Sequence, residues 1–160
     1  MKKLNNLLLL ISASFLISCG GGDGKSRADK IKEQSMMEPV EQVPASERIT
    51  LDDKGVGPIK NLELSATIDQ DMVAKGQALF KTNCSACHKV EKRFIGPSPK
   101  GIMKRRSPEW IMNMILDPQL MVEQDRCAKD LLVEFNGAAM ANQNMTEDQA
   151  RDILEYFRTL

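Results

Sequence analysis

Two cysteines and the only histidine of the chain stand close together, as Cys84, Cys87 and His88. At spacings of three and four residues, a single helical turn brings the three side chains to one side. Two thiols so placed can add to the two vinyl groups of one haem, and the adjacent histidine can bind its iron. A redox-active dithiol would need a strand–motif–helix context that is missing here, and zinc would find only three ligands, two of them adjacent. The spacing therefore predicts one covalently attached haem c.

The second axial ligand of such an iron has to be something other than histidine, because the chain has no second one. Methionine sulfur is the natural alternative, and the chain holds ten methionines. Most of them stand in the N-terminal segment or at apolar helical positions, where core packing is the expected role. Met140 stands in a predicted loop, whereas Met145 directly precedes the last predicted helix and would pack back on it. Met140 is the predicted sixth ligand; Met145 and an open or water-ligated iron remain as alternatives.

Composition limits the other functions of the chain. Its 160 residues include 22 basic and 22 acidic side chains, and this zero net charge argues against nucleic-acid binding through phosphate neutralisation. We find no convincing set of general acid, base and nucleophile, so we do not expect an enzyme. A core of Leu, Ile, Met and Ala with few aromatic residues favours helices.

The N-terminus predicts export and lipidation. Lys2 and Lys3 precede an apolar run over residues 4–17, which is short for a membrane span but typical of a secretory signal. The end of this run, Leu-Ile-Ser-Cys, resembles the lipobox of bacterial lipoproteins, which implies cleavage after residue 18 and acylation of Cys19. Gly20 stands where an aspartate would imply retention in the inner membrane. We therefore expect a lipid-anchored, periplasm-facing protein, with the outer membrane preferred.

The rest of the chain divides into a linker and one domain. Residues 19–65 are interpreted as the lipidated cysteine and a flexible tether, and residues 66–160 as the domain. The tether assignment has one alternative, because apolar residues between 49 and 68 could also lie as an extended strap on the domain.

Four helix starts can be located within the domain. Asp69, Ser107, Asp125 and Thr146 each stand where an N-cap is expected, directly before an apolar helical stripe. Asp117-Pro118 is expected to end the second helix and Asn136-Gly137 the third. No strand pattern of comparable strength is present, so the predicted fold class is all-α.

The region 69–160 resembles the class I cytochromes c. The matching features are a glycine and an aromatic residue before the Cys-x-x-Cys-His motif, a Gly-Pro pair after it, a late methionine and a terminal aromatic helix; these are Gly76, Phe80, Cys84, Cys87, His88, Gly96, Pro97, Met140, Tyr156 and Phe157. The resemblance implies a small helical domain wrapped around one haem.

The resemblance also implies roles for individual residues. Gly76 would lie where the first and last helices cross, and the Pro97 carbonyl would accept a hydrogen bond from His88. Met140 occupies the loop before the last helix, where the family has its axial methionine, although the usual proline after it is Ala141 here. Trp110 could donate its indole N–H to a haem propionate, with an ordinary core position as the alternative. Cys127 matches nothing in the family and is expected to be a small, half-buried residue, with a disulfide-linked dimer as the alternative.

The charges suggest how a partner would bind. Between residues 89 and 106, called here the basic segment, seven basic side chains face one acidic side chain, whereas nine acidic and four basic residues follow from position 117. Near a haem edge the basic segment would steer an acidic redox protein, although a merely solvated loop fits as well. The oligomeric state is left open by the sequence.

Together these features predict a membrane-tethered carrier of single electrons to or from a respiratory partner. The segment from residue 96 to residue 140 also resembles monohaem lipoproteins of nitrous-oxide respiration, which suggests a periplasmic reductase such as nitrous-oxide reductase. One alternative is a haem-based ligand binder or sensor with an open sixth position. Another is a lipoprotein without haem whose Cys84 and Cys87 form a disulfide.

Overall fold

The computed structural model describes residues 43–160. The predicted signal peptide, Cys19 and the tether before residue 43 lie outside the described residues. The described part contains five α-helices: α1 (Gln70–Leu79), α2 (Pro108–Leu116), α3 (Pro118–Gln124), α4 (Arg126–Glu134) and α5 (Glu147–Phe157). It contains no strand, only an isolated bridge between Thr50 and Arg106, so the expected all-α class is confirmed. None of these helices is long and apolar enough to cross a membrane.

All four predicted N-caps are confirmed. Asp69 accepts hydrogen bonds from the first-turn amides of α1, Ser107 from the Trp110 amide, and Asp125 from the Ala128 amide. Thr146 forms the full capping box, in which its hydroxyl accepts from the Gln149 amide while the Gln149 side chain accepts from the Thr146 amide. Each cap satisfies amides that have no partner inside the helix.

One helix was not predicted. Asp117-Pro118 ends α2, as expected, but the same two residues also begin α3. The Asp117 carboxylate accepts a hydrogen bond from the Leu120 amide at 3.0 Å, and Pro118 occupies the first helical position, where its missing N–H costs nothing. An Asp-Pro pair can therefore stop one helix and start the next.

Helices α1 and α5 cross in direct backbone contact at Gly76. A methyl group at this position would lie 2.0 Å from the Asp152 carbonyl oxygen. Nearby, the Glu155 carboxylate is buried and accepts hydrogen bonds from the Asp69 amide and from Arg151 and Arg158. This crossing fixes the position of α1, which leads directly into the Cys-x-x-Cys-His motif.

Residues 43–65, called here the strap, lie against the helices rather than forming the end of a flexible tether. Ala45 and Ile59 are buried, and the strap is bound by the buried side chain of Asn113 on α2. The side-chain oxygen of Asn113 accepts a hydrogen bond from the backbone amide of Ile59 at 3.0 Å. The side-chain nitrogen of Asn113 donates to the backbone carbonyls of Lys54 and Ile59 at 3.0 and 2.9 Å. The strap alternative therefore describes these residues better than the flexible tether, because burial and backbone hydrogen bonds order them.

Candidate functional site

A cavity opens between α2, α4, α5 and the segment that follows α1. Its wall is mainly apolar and includes Phe80, Ile111, Leu131, Ile153 and Phe157. Predicted site residues from both ends of the domain line it: Cys84, Cys87, His88, Pro97, Trp110 and Met140. An apolar wall with a few polar groups is typical of a binding site for a large planar cofactor.

The two thiols lie on the chain directly beyond α1. That helix continues as a wider π-helical turn over Phe80–Cys84, and the amides of Cys87 and His88 then donate to the Cys84 carbonyl at 3.1 and 2.9 Å. The Cys84 side chain is half-buried and that of Cys87 is exposed, and both are free thiols. Burial, together with the neighbouring Cys87, raises the pKa of the Cys84 thiol. No group of three His, Cys, Asp or Glu side chains within residues 43–160 is arranged to hold a metal ion, which gives no support to the zinc alternative.

The imidazole of His88 is fixed by the Gly96-Pro97 pair. Its Nδ1 lies 2.8 Å from the Pro97 carbonyl oxygen, and because a carbonyl can only accept, Nδ1 carries the hydrogen. A methyl group on Gly96 would lie 2.4 Å from the imidazole Cε1, so only glycine leaves room for the ring. The other nitrogen, Nε2, is left outside this hydrogen bond and is the one that can bind a metal.

The methionines separate by position. Met140 lines the cavity from the loop before α5, whereas Met145 is absent from the cavity wall and packs against the hydrophobic core. Met114, on α2, also lines the cavity. The structure thus brings Met140 and His88 to the same cavity and leaves Met145 at the staple position that its sequence indicates.

Trp110 differs from the expected hydrogen-bonding role. The residue is buried, and its indole Nε1 donates to the Asp125 carboxylate at 3.1 Å. The indole N–H therefore has a protein partner and is not free for a propionate, while the ring itself forms part of the cavity wall. This contact favours the core interpretation of Trp110 over the propionate contact.

Two arginines supply the formal positive charge of the cavity wall. Arg106 is buried and donates to the carbonyls of Ala45 and Arg48 on the strap, with its guanidinium 5.2 Å from the Trp110 ring centre. Arg105 donates to the Lys100 carbonyl at 3.0 Å, and burial lowers its pKa. In the sequence both belong to the basic segment, and nothing in a run of basic residues indicates that one of them is buried.

Cys127 lies at the start of α4 and is buried rather than half-buried. Burial raises the pKa of its thiol. A buried, protonated thiol is poorly placed for a disulfide between two chains.

The residues of this site fit a covalently bound haem. Cys84 and Cys87 are unpaired thiols beside the cavity, and His88 keeps Nε2 available while Pro97 holds its Nδ1. The wall also contains thioethers, and the two arginines can compensate the negative charge of propionates. A covalently bound haem would use all of these features. A dithiol or a zinc site would have no use for the large apolar cavity.

Comparison with known proteins agrees with this geometry. The model of the family described as Cytochrome c matches residues 73–160. A cytochrome c-553-like protein of Synechocystis is 37% identical over 46 residues, which is 28% of this chain and only 44% of that protein. Cytochrome c2 of Rhodopseudomonas palustris is 25% identical over 111 residues, covering 54% of this chain and 96% of that protein.

Solved structures are also similar. Cytochrome c from Rhodothermus marinus is 38% identical, with a TM-score of 0.63, over 72% of this chain and 92% of that one. An engineered form of the same cytochrome, solved with a bound carbene intermediate, has a TM-score of 0.60. With its family match over 73–160 and its single Cys-x-x-Cys-His motif, the chain belongs to the class I cytochrome c family of electron carriers, whose members bind one covalently attached haem c.

Proposed function

We propose that this chain is a lipid-anchored, monohaem carrier of single electrons in which His88 Nε2 and the Met140 sulfur are the axial ligands. The observation that carries the proposal is that these two residues, 52 positions apart in the sequence, line one apolar cavity. Methionine opposite histidine leaves no vacant site for a substrate, which suits outer-sphere electron transfer.

The residues around the cavity each have a definite task in this function. The haem supplies the one-electron couple. Pro97 and Gly96 hold the His88 ring in one orientation, which would present Nε2 to the haem iron in a fixed direction. The apolar wall excludes water, and Arg105 and Arg106 offset negative charge next to the strap.

Replacing Met140 by alanine tests the ligand assignment. We expect the low-spin methionine features of the ferrous and ferric spectra to disappear, and carbon monoxide to bind the ferrous protein at once, because the iron loses a ligand. Met145→Ala and Met114→Ala are matched controls, since one packs on the core and the other lines the same cavity from α2. Unchanged methionine features in Met140→Ala would contradict the assignment, and rapid carbon monoxide binding by the unmodified protein would favour the open-site sensor instead.

We propose that the part of the basic segment beside His88 is a docking surface for an acidic redox partner. Phe94 and Ile95 are each 49% exposed, Ile95 also lines the cavity, and the Lys89 ammonium lies 5.1 Å from the Phe94 ring centre. Lys92 and Lys104 are exposed, whereas Arg106 is buried and Lys100 pairs with Glu91. An apolar contact surrounded by a few free lysines suits a short-lived complex with an acidic protein.

Charge reversal tests this surface. With a small acidic redox protein as partner, Lys92→Glu should slow electron transfer roughly tenfold at low salt, and the difference should vanish at high salt. Lys75→Glu on α1, which is also an exposed lysine but lies outside the basic segment, is the control and should have little effect. Equal effects of both substitutions would contradict a localised docking surface.

The cell-envelope location rests on the N-terminal sequence. Bacterial cytochromes c are typically exported, and the Leu-Ile-Ser-Cys sequence before Gly20 supports lipidation of Cys19. Cys19→Ser should release the protein from membranes and abolish incorporation of labelled palmitate. Retention of the label in this variant would exclude Cys19 as the anchor.

A further inference from the structure

Exposed apolar side chains gather where the chain enters the domain. Of the seven large apolar residues that are exposed within residues 43–160, Phe94 and Ile95 belong to the docking surface described above, and Ile68 directly precedes the N-cap of α1. The other four, called here the strap patch, are 55, 71, 52 and 78% exposed: Val43, Ile49, Leu51 and Val133. The family match begins at residue 73, so three of these four lie outside it.

Arg48 connects the members of the strap patch. Its Nε donates to the Val43 carbonyl at 3.2 Å, so the strap folds back on itself just before Ile49, and its guanidinium pairs with Asp130 on α4 at 2.6 Å. Asp130 and Val133 are three residues apart and therefore lie on the same side of this helix. The apolar residues of the strap and of α4 thus lie around one ion pair on one surface.

Hydrogen bonds hold the strap in this position. The Thr50 amide, in the middle of the exposed stretch, donates to the Arg105 carbonyl at 2.8 Å. Ser46 donates to the Glu134 carboxylate through its amide at 2.8 Å and through its hydroxyl at 2.6 Å. The exposed side chains therefore project from an ordered backbone. Several apolar side chains exposed together on an ordered surface indicate a binding site.

The charges around the strap patch cancel. Three basic and three acidic side chains border it: Arg48, Arg126, Lys129, Glu47, Asp52 and Asp130. The nearby Glu134 carboxylate is paired with Arg93 at 2.8 Å. The basic segment, by contrast, carries an excess of positive charge. An apolar surface without net charge suits a lipid surface better than a strongly charged protein.

We propose that the strap patch rests on the lipid bilayer to which the chain is anchored, with its apolar side chains in the headgroup region. This rests on the lipid anchoring of Cys19 proposed above. The occupant follows from where the chain outside the described residues ends, because residues 20–42 join Cys19 directly to Val43, itself a member of the patch. A segment of this length spans at most about 80 Å, so the anchor keeps the patch at high effective concentration near lipid. A few apolar side chains are then sufficient for contact.

Photolabelling from the bilayer tests this contact. The acylated, haem-loaded protein is placed in phosphatidylcholine vesicles that contain a small fraction of a phospholipid with a diazirine near its headgroup. Labelled peptides are then identified by mass spectrometry. We expect label on residues 43–51 and around Val133, with the same yield at low and high salt, because the strap patch has no net charge.

Two variants compare the strap patch with an exposed apolar residue elsewhere. The double substitution Ile49→Asn and Val133→Asn should reduce labelling of residues 43–51 roughly tenfold, because it removes two of the four apolar side chains. Ile68→Asn is the matched control and should leave the labelling unchanged. All three side chains are exposed, so thermal unfolding of both variants should match that of the unmodified protein.

Three results would overturn the proposal. The first is label confined to the basic segment and lost at high salt, which would show binding through that surface instead. The second is labelling of residues 43–51 that disappears as the protein concentration rises, which would assign the strap patch to a second copy of the chain. The third is an equal yield in the double variant and in Ile68→Asn. A chain that carries no acyl group would leave the vesicles and refute the anchoring itself, so the two failures are distinguishable.

Discussion

The two residues that we assign to the iron are held in very different ways. His88 belongs to a segment, residues 84–97 and called here the histidine wall, that is bound at many points. The Gly96 amide donates to the Cys87 carbonyl at 2.9 Å, the His88 Nδ1 donates to Pro97, and Arg93 bonds to Glu134 on α4. Met140 belongs to residues 138–145, the methionine loop, which is exposed apart from Met140 and Met145.

The hydrogen bonds of the methionine loop are short-range. The Asn144 amide donates to the Asn142 side chain at 2.7 Å, the Gln143 side chain to the Ala141 carbonyl, and the Ala138 amide to Phe135. The difference indicates that the fold fixes the orientation of His88, whereas the proposed bond from Met140 to the iron is the one that can exchange. Local opening of the loop would expose the iron without disturbing His88.

The largest effect is expected from a methyl group placed behind His88. Gly96→Ala should lower the free energy of unfolding by about 3 kcal/mol and reduce the low-spin fraction, because the new Cβ overlaps the imidazole. Gly137→Ala is the counterpart at the start of the methionine loop, where φ is +77° and no atom lies within 4 Å of the added Cβ. It should cost about 1 kcal/mol, from backbone strain alone. Thermal unfolding of both variants compares the histidine wall with the methionine loop. Equal losses of stability in the two variants would contradict the conclusion that the histidine wall is the more tightly held.

A smaller effect is expected from the α1–α5 crossing that supports the histidine wall. Glu155→Gln should lower the free energy of unfolding by about 2 kcal/mol at neutral pH, because it removes the charge that Arg151 and Arg158 surround.

The pH dependence of this effect has a definite sign. The Arg158, Arg151 and Asp69 hydrogen bonds hold the pKa of Glu155 below its ordinary value of 4.5, against the effect of burial, which alone would raise it. Its contribution is therefore complete above pH 4.5 and is lost as the pH falls through the folded-state pKa. Urea titrations should show that the variant and the parent converge in acid; a difference that stays constant down to low pH would exclude Glu155 as the cause.

The smallest effect concerns the contact that ties the histidine wall to α4 and the strap. Arg93 lies 3.9 Å from the Phe135 ring centre and donates to the Glu134 side chain and carbonyl, while Glu134 also accepts from the Ser46 amide and hydroxyl. Arg93→Ala should lower the free energy of unfolding by about 1 kcal/mol and speed amide exchange around residues 91–96. Lys92→Ala, exposed and adjacent, is the matched control. Indistinguishable exchange in the two variants would exclude the contact as a local anchor.

Local rules predicted the helices well, because caps and apolar stripes are short-range signals. The four caps are confirmed, whereas α3 was missed because Asp117-Pro118 was interpreted only as a stop signal. The packing of the strap could not be predicted from local rules, because the residues that order it lie far away in the sequence. Its amides and carbonyls are bound by Asn113 and Arg106, two polar residues whose burial no sequence period indicates.

The site residues also fall into those that local sequence could predict and those that depend on distant contacts. Cys84, Cys87 and His88 are close together in the sequence, so their relative positions follow from one turn of the chain. The family resemblance correctly predicted that Gly76 lies where the first and last helices cross. For Trp110 the sequence leaves both a propionate contact and a core position open, because its partner Asp125 stands at the start of another helix and cannot be paired with it from the sequence.

Nuclear magnetic resonance of the ferrous protein with carbon-13 labelled methionine methyl groups tests the central claim most directly. A methyl group bound to the iron lies against the haem face, so its resonance is displaced far upfield by the ring current. We predict one such resonance, absent in Met140→Leu and present in both Met145→Leu and Met114→Leu. An upfield methyl resonance that persists in Met140→Leu, or none in the unmodified protein, would contradict the ligation by His88 and Met140.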